Sequence, residues 1–164
     1  MTDHPEPPIE GVGALLEKHP LFEGLNEDMR SSLAECGETI VFHDGDMIIK
    51  EGEEANRFFL LRHGAVAVEV HLPGREPLII ETLAKDEVLG WSWMVQPYRW
   101  SFDARAIGLV RAVVLDAIWM REKCEQDPVL GFEIYKRFVP LIATRMNATR
   151  LQLIDMYGNP RDYD

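Results

Sequence analysis

The chain is poor in cysteine, in long apolar runs and in clustered basic residues. Cys36 and Cys124 are its two cysteines. They lie far apart in no metal-binding spacing, which reads as buried thiols in a reducing compartment. No segment approaches the run of about 18 apolar residues that spans a bilayer, so no membrane partner is expected. Basic residues never run longer than the pair Lys136-Arg137. With 28 acidic against 17 basic residues the net charge is −11. That field repels a polyanion and argues against direct nucleic-acid binding. The opening Met1-Thr2-Asp3-His4-Pro5 lacks the basic and then apolar regions of a secretory signal. Residues 1–10 are expected to be a disordered lead, and the cytoplasm is the expected location.

Catalytic signatures are also missing. His43, His63 and His71 stand alone, with no His-x-His pair to ligate a metal at one face. His63 reads as a solvated turn residue, and His43 beside Asp44 is at most a weak ligand. No serine or cysteine sits in a nucleophile motif, and no Gly-x-x-x-x-Gly-Lys loop is present. No catalytic residue and no metal site are expected, so the chain is read as a non-enzyme.

What is present is concentrated in residues 42–70. Short β-type runs at Met47–Ile49, Phe58–Leu61 and Ala65–Val70 alternate with turns at Asp44-Gly45-Asp46, Glu51-Gly52-Glu53 and His63-Gly64. Val66, Val68 and Val70 against Ala65, Ala67 and Glu69 give the period-2 pattern of a half-buried strand. Short strands with frequent turns suit a small antiparallel barrel or roll. The loop Leu72-Pro-Gly-Arg-Glu-Pro77 is expected to be a hairpin tip, since its prolines cannot serve a central strand.

Helical spacing flanks this region. Gly11–Lys18 and Asn26–Cys36 form the N-terminal helices of residues 11–38, the second capped by Asn26. The roll is expected over 39–116, running from about Thr39 to about Leu115, and helices over 117–157. Asp127-Pro128 starts the last helix, as an N-cap followed by proline at the first position. From there Phe132, Tyr135, Val139, Ile142, Met146, Thr149, Leu153 and Met156 recur in steps of three and four. That is the roughly 3.5-residue repeat of a coiled-coil seam and predicts a homodimer, with packing in a groove of its own domain as the alternative. A second stripe of Leu130, Ile134, Phe138 and Leu141 faces the roll. Pro140 is expected to kink the helix or break it in two. Arg145 and Arg150 are read simply as cations suited to the helix dipole. Gly158-Asn-Pro160 is expected to stop the helix before a tail of residues 158–164.

Gly45-Asp46, Ile48-Ile49, Gly52-Glu53, Asn56-Arg57-Phe58-Phe59 and Gly64-Ala65-Val66 follow the spacing of a known pattern. The stretch resembles the cyclic-nucleotide-binding domain shared by catabolite-activator-type regulators and the regulatory subunits of cAMP-dependent kinases. The lead-in His19-Pro-Leu-Phe-Glu-Gly-Leu25 is similar to that family as well. The resemblance covers about Leu15 to Tyr157. It implies an α+β fold: an antiparallel double-stranded, jelly-roll-like β-roll with N-terminal helices and a long C-terminal helix.

The resemblance also implies a phosphate cassette reading Phe-Gly-Glu, a short helix, then an arginine followed by small residues. A helix N-terminus and arginine suit an anion, and the glutamate accepts from the ribose hydroxyl. Here Gly90 matches, Trp91 stands at the acid position, and Arg99 comes one position early, so that Trp100 falls at the arginine. A one-residue deletion would restore Arg99. Losing the acid costs about 1–3 kcal/mol of binding, so cAMP and cGMP binding is expected to be weakened. No cofactor is called for beyond that one candidate ligand. The expected ligand site is Leu89, Gly90, Trp91, Ser92, Met94, Arg99, Trp100 and Ser101. Trp91, Trp93 and Trp100 either fill this pocket themselves or shape it for a different planar or hydrophobic effector. Trp119 is expected only to pack between helix and roll.

The function these readings support is a non-catalytic ligand-sensing module, signalling to an unidentified protein partner through its C-terminal helix. The alternatives are a constitutive dimeric scaffold with a tryptophan-plugged pocket, or a regulator of transcription working through a separate DNA-binding partner. After the helix stop at Gly158-Asn-Pro160 no helix-turn-helix is expected to follow before Asp164.

Overall fold

Two strands of fourteen residues organise the sheet, and everything else is arranged around them. In chain order the computed structural model contains α1 (Val12–Lys18), a single 3-10 turn (Pro20–Phe22), α2 (Glu27–Glu35), β1 (Gly37–Phe42), β2 (Met47–Ile49) and β3 (Arg57–Val70). Then follow β4 (Leu78–Leu83), β5 (Val88–Leu89), a second 3-10 turn (Ser92–Met94), β6 (Asp103–Asp116), α3 (Ala117–Gln126) and α4 (Pro128–Tyr157). The structure describes residues 11–157. The expected lead, the helix stop at Gly158-Asn-Pro160 and the tail lie outside the described residues, as does the Met156 side chain.

β3 and β6 pair antiparallel from Arg57↔Asp116 to Glu69↔Asp103. Along one half of this ribbon β1 pairs with β6 and β5 with β3; along the other, β2 pairs with β6 and β4 with β3. All pairings are antiparallel, giving the β-roll expected from the sequence, with β4 closing the hairpin across residues 71–77.

The two β-runs Phe58–Leu61 and Ala65–Val70 turn out to be a single strand, and His63-Gly64 is a bulge inside it rather than a turn. The register with β6 shifts on both sides of His63, and Gly64 takes φ +86. A bulge bends a strand and re-aims its continuation, which carries the ribbon from one half of the roll to the other. Gly64 must be glycine twice over: its φ lies in the left-handed region, and a Cβ would run into the carbonyl oxygen of Leu109.

The expected half-buried alternation past the bulge is also absent. Val66, Ala67, Val68 and Glu69 are all buried. The roll interior takes one side of the strand. On the other, the Arg105 side chain from β6 lies along β3, its Nε 3.4 Å from Glu69 Oε1. A long cationic stem covering a strand can bury a face that periodicity reads as solvated.

The helices form where their caps predict. Asn26 Oδ1 accepts from the Met29 amide at 2.9 Å, and Asp127 Oδ1 accepts from the Leu130 amide at 3.2 Å. α4 runs through Pro140 as one helix, so of the two expected outcomes, a kink or a break, the break does not occur. Pro140 and Lys136 are both exposed, so the bond that proline removes lies on the outer side of the helix, away from the core. Its roll-facing stripe Leu130, Ile134 and Phe138 is fully buried, and Leu141 is half-buried against the same core. Trp119 is half-buried between α3 and the core, as expected. Among the described residues no helix is long and apolar enough to cross a membrane.

Candidate functional site

The segment expected to form the cassette begins where β5 leaves the sheet. Val88 and Leu89 pair with Leu60 and Phe59 of β3, which holds this end of the segment rigid. Gly90 then turns with φ +92, and the Trp100 ring lies directly on it: a Cβ at position 90 would come within 2.7 Å of the indole. Trp91 is half-buried, with its ring edge-on to Phe102 at 6.5 Å.

Ser92–Met94 form the short 3-10 turn, and all three side chains are buried. Trp93 points into the core. It stacks on Phe58 at 4.9 Å with the planes 12° apart, and meets Phe138 of α4 edge-on at 5.3 Å. Phe58 and Phe138 complete the triangle at 5.4 Å. The cassette, the central strand and the C-terminal helix therefore share one aromatic cluster.

From Tyr98 the chain runs back along the turn at residues 52–55. The Ala55 amide donates to the Tyr98 carbonyl at 2.7 Å, and the Trp100 amide to the Glu53 carbonyl at 3.0 Å. Arg99 is exposed, with Nη1 donating to the Gly52 carbonyl at 2.8 Å. Ser101 is exposed too. Of the eight residues expected at the site, Leu89, Gly90, Ser92, Met94 and Trp100 lie together in the interior, Trp91 at its edge, and Arg99 and Ser101 at the surface. The Ser92 hydroxyl is buried with no protein hydrogen-bond partner.

Two arginines outside the expected set hold this region. Arg121 of α3 donates through Nη1 to the carbonyls of Trp93 (2.9 Å) and Ala55 (3.2 Å), and its guanidinium lies 4.3 Å from the Tyr98 ring centroid. It fastens both limbs of the cassette to α3. Arg145 of α4 donates through Nη2 to the Val88 carbonyl, and its Nε lies 3.6 Å from Glu81 Oε1 of β4. Neither role is visible in a sequence, because a lone arginine on a helix carries no record of the carbonyl it will meet.

Burial pushes both Cys36 and Cys124 up to about 11, so both stay protonated near neutrality. Among the described residues no group of three His, Cys, Asp or Glu side chains is placed to hold a metal. Along α4, Phe132, Tyr135, Val139, Met146, Thr149 and Leu153 are exposed, and Ile142 is half-buried. Phe132 and Met146 keep 65% and 66% of their surface, a large apolar exposure for one helix.

Comparison with known proteins agrees with this architecture. The family model of the cyclic nucleotide-binding domain matches residues 39–127, more than half of the chain. Human cGMP-dependent protein kinase 2 is 39% identical over 91 residues, covering 55% of this chain and 11% of the kinase. A CRP-like cAMP-activated global transcriptional regulator of Mycobacterium tuberculosis is 22% identical over 87% of this chain and 62% of its own length. The chain thus spans only a small part of the kinase and under two thirds of the regulator. Two solved structures share the fold. A cyclic nucleotide-binding domain from Methylobacillus flagellatus has a TM-score of 0.75 at 16% identity, over 92% of this chain and 85% of its own. The catabolite activator protein of Thermus thermophilus has a TM-score of 0.66 at 18% identity, over 84% and 62%. With its β-roll and its long closing helix, this chain belongs to the cyclic nucleotide-binding domain family.

Proposed function

We propose that this protein is a non-catalytic regulatory module that senses a small molecule at the Gly90–Ser101 cassette and reports it through α4 to a protein partner. The observation that carries this reading is the contact of Trp93 with Phe138. A cassette residue and a residue of the output helix lie in one close-packed cluster, so neither moves without repacking the other.

The relatives make cGMP and cAMP the first ligands to test, and the cassette argues for weak binding of both. Trp91 offers no acceptor to a ribose hydroxyl. Arg99 is engaged with the Gly52 carbonyl, and the Trp100 indole covers Gly90. Calorimetric titration with each nucleotide, read beside tryptophan fluorescence, is expected to show saturation only well above micromolar concentrations. Trp91→Glu restores an acceptor at the exposed edge of the cassette and should tighten binding about ten- to a hundredfold, the equivalent of 1–3 kcal/mol. Micromolar binding by the unmodified protein, with no gain in the variant, would sink the altered-cassette reading.

A constitutive scaffold is the second reading, favoured by the Trp100 ring seated on Gly90. Both readings use a homodimer formed along the exposed seam of α4. Sedimentation at micromolar concentration should give the mass of two chains, and Val139→Glu with Met146→Glu should give one. The melting temperature of the roll should change little, because both side chains are exposed in the protomer. A wild-type monomer would reject the seam.

A further inference from the structure

The roll-facing stripe of α4 changes character along its length. Leu130, Ile134, Phe138 and Leu141 occupy it first, and the same helical spacing continues through Arg145 and Gln152. The first three are buried and Leu141 is half-buried. Beyond Ile142 every described side chain of α4 is exposed except Arg145, which keeps 14% of its side-chain surface. The second half of the helix therefore lies on the roll with almost no apolar surface beneath it.

Its contacts there are polar and converge on one edge. Arg145 Nη2 donates to the Val88 carbonyl, and Nε faces Glu81 Oε1 at 3.6 Å. One helical repeat further on, Gln152 Nε2 donates to the Ile80 carbonyl at 3.2 Å. Beside these contacts lies a cavity of about 240 Å³ lined by Glu81, Asp86, Glu87, Leu141, Thr144, Arg145 and Ala148. The interface is thus loosely filled as well as polar. Burial pulls the Arg145 pKa below its usual value, while Glu81 and Glu87 push it back. The buried guanidinium is held by its carboxylate and carbonyl partners, with few apolar neighbours on its own helix beyond Ile142.

We propose that Arg145 is a latch: α4 has two separable anchors, an apolar one at Phe138 and a polar one at Arg145, and the second opens while the roll stays folded. Segments with few buried apolar contacts lie at the low end of a protein's range of opening free energies. The carbonyl that Arg145 holds belongs to Val88, two positions before Gly90, so the latch grips the strand that feeds the cassette. Displacement of β5 by an occupant of the cassette would remove that acceptor and free the helix beyond Ile142. This step rests on α4 being the output helix, whereas the latch itself is a property of the ligand-free chain.

Hydrogen exchange followed by mass spectrometry on the full chain tests it without any ligand. Arg145→Ala removes both contacts. Glu81→Gln removes only the charge partner and leaves the fold of β4 unstrained. Asp86→Asn alters a carboxylate that lines the cavity but makes no ion pair with Arg145. Compared at one oligomeric state, amides 143–155 should exchange roughly tenfold faster in Arg145→Ala and measurably faster in Glu81→Gln. They should be unchanged in Asp86→Asn, and β3 and β6 should be unchanged in all three. Unaltered exchange of 143–155 in Arg145→Ala overturns the latch, as does equal acceleration throughout the sheet. Either failure leaves the sensor reading to the nucleotide titration.

Discussion

Replacing Phe138 with alanine is expected to lower the melting temperature by roughly 10 °C, through a loss of about 3–5 kcal/mol. Phe138 has no exposed surface and meets Phe58 and Trp93 edge-on at 5.4 and 5.3 Å. Truncation removes the transfer energy of the ring and leaves a cavity between two aromatic neighbours. Trp93 is fixed by its stacking on Phe58 from one side and cannot collapse into the space without leaving the cassette. The same substitution should therefore shift tryptophan emission and detach the first anchor of α4. Thermal denaturation by circular dichroism checks the first effect and fluorescence the second. A melting temperature within a degree of wild type would show that the aromatic cluster does not hold the helix.

The second large effect is expected at Gly64. Alanine there takes a left-handed φ of +86, costing about 1 kcal/mol, and adds a Cβ against the Leu109 carbonyl. That carbonyl belongs to β6, which pairs with β3 on either side of it at Ile107 and Arg111, so a shift of the backbone disturbs the ladder. The total should exceed about 3 kcal/mol, in the rare upper range for single substitutions. Gly74→Ala supplies the comparison: Gly74 has φ +71 but open space around it, and should show the conformational part alone. Urea midpoints of the two variants separate strain from collision. Equal midpoints would mean that the bulge does not press against β6.

The contrast at Gly64 shows what sequence carries and what it leaves open. A glycine after His63 signals that the chain needs a positive φ. A tight turn and a bulge both satisfy that demand, and the choice is made by the partner strand. Because β6 pairs with β3 on both sides of His63, the chain bends without reversing. The alternation read as half-buried failed for a related reason. Glu69 meets Arg105, the cross-strand partner of Ala67, which lies 36 positions away from Glu69 along the chain (105 − 69). Pro140 marks the same limit in α4. A proline inside a helix predicts a kink or a break, and the break does not occur where Phe138 is buried against the core and Pro140 is exposed.

By itself the sequence determined the family, the roll and the helix starts at Asn26 and Asp127. Each rests on short-range chemistry: turn residues, caps, and apolar periods read within a few positions. Tertiary structure alone decided the state of the cassette. It turned Arg99 outward to Gly52, laid Trp100 on Gly90, and put Trp93 into the core. It also gave Arg121 and Arg145 their acceptors on distant elements. A long flexible cation reaches whichever carbonyl the fold brings near, and that proximity exists only after the strands have paired.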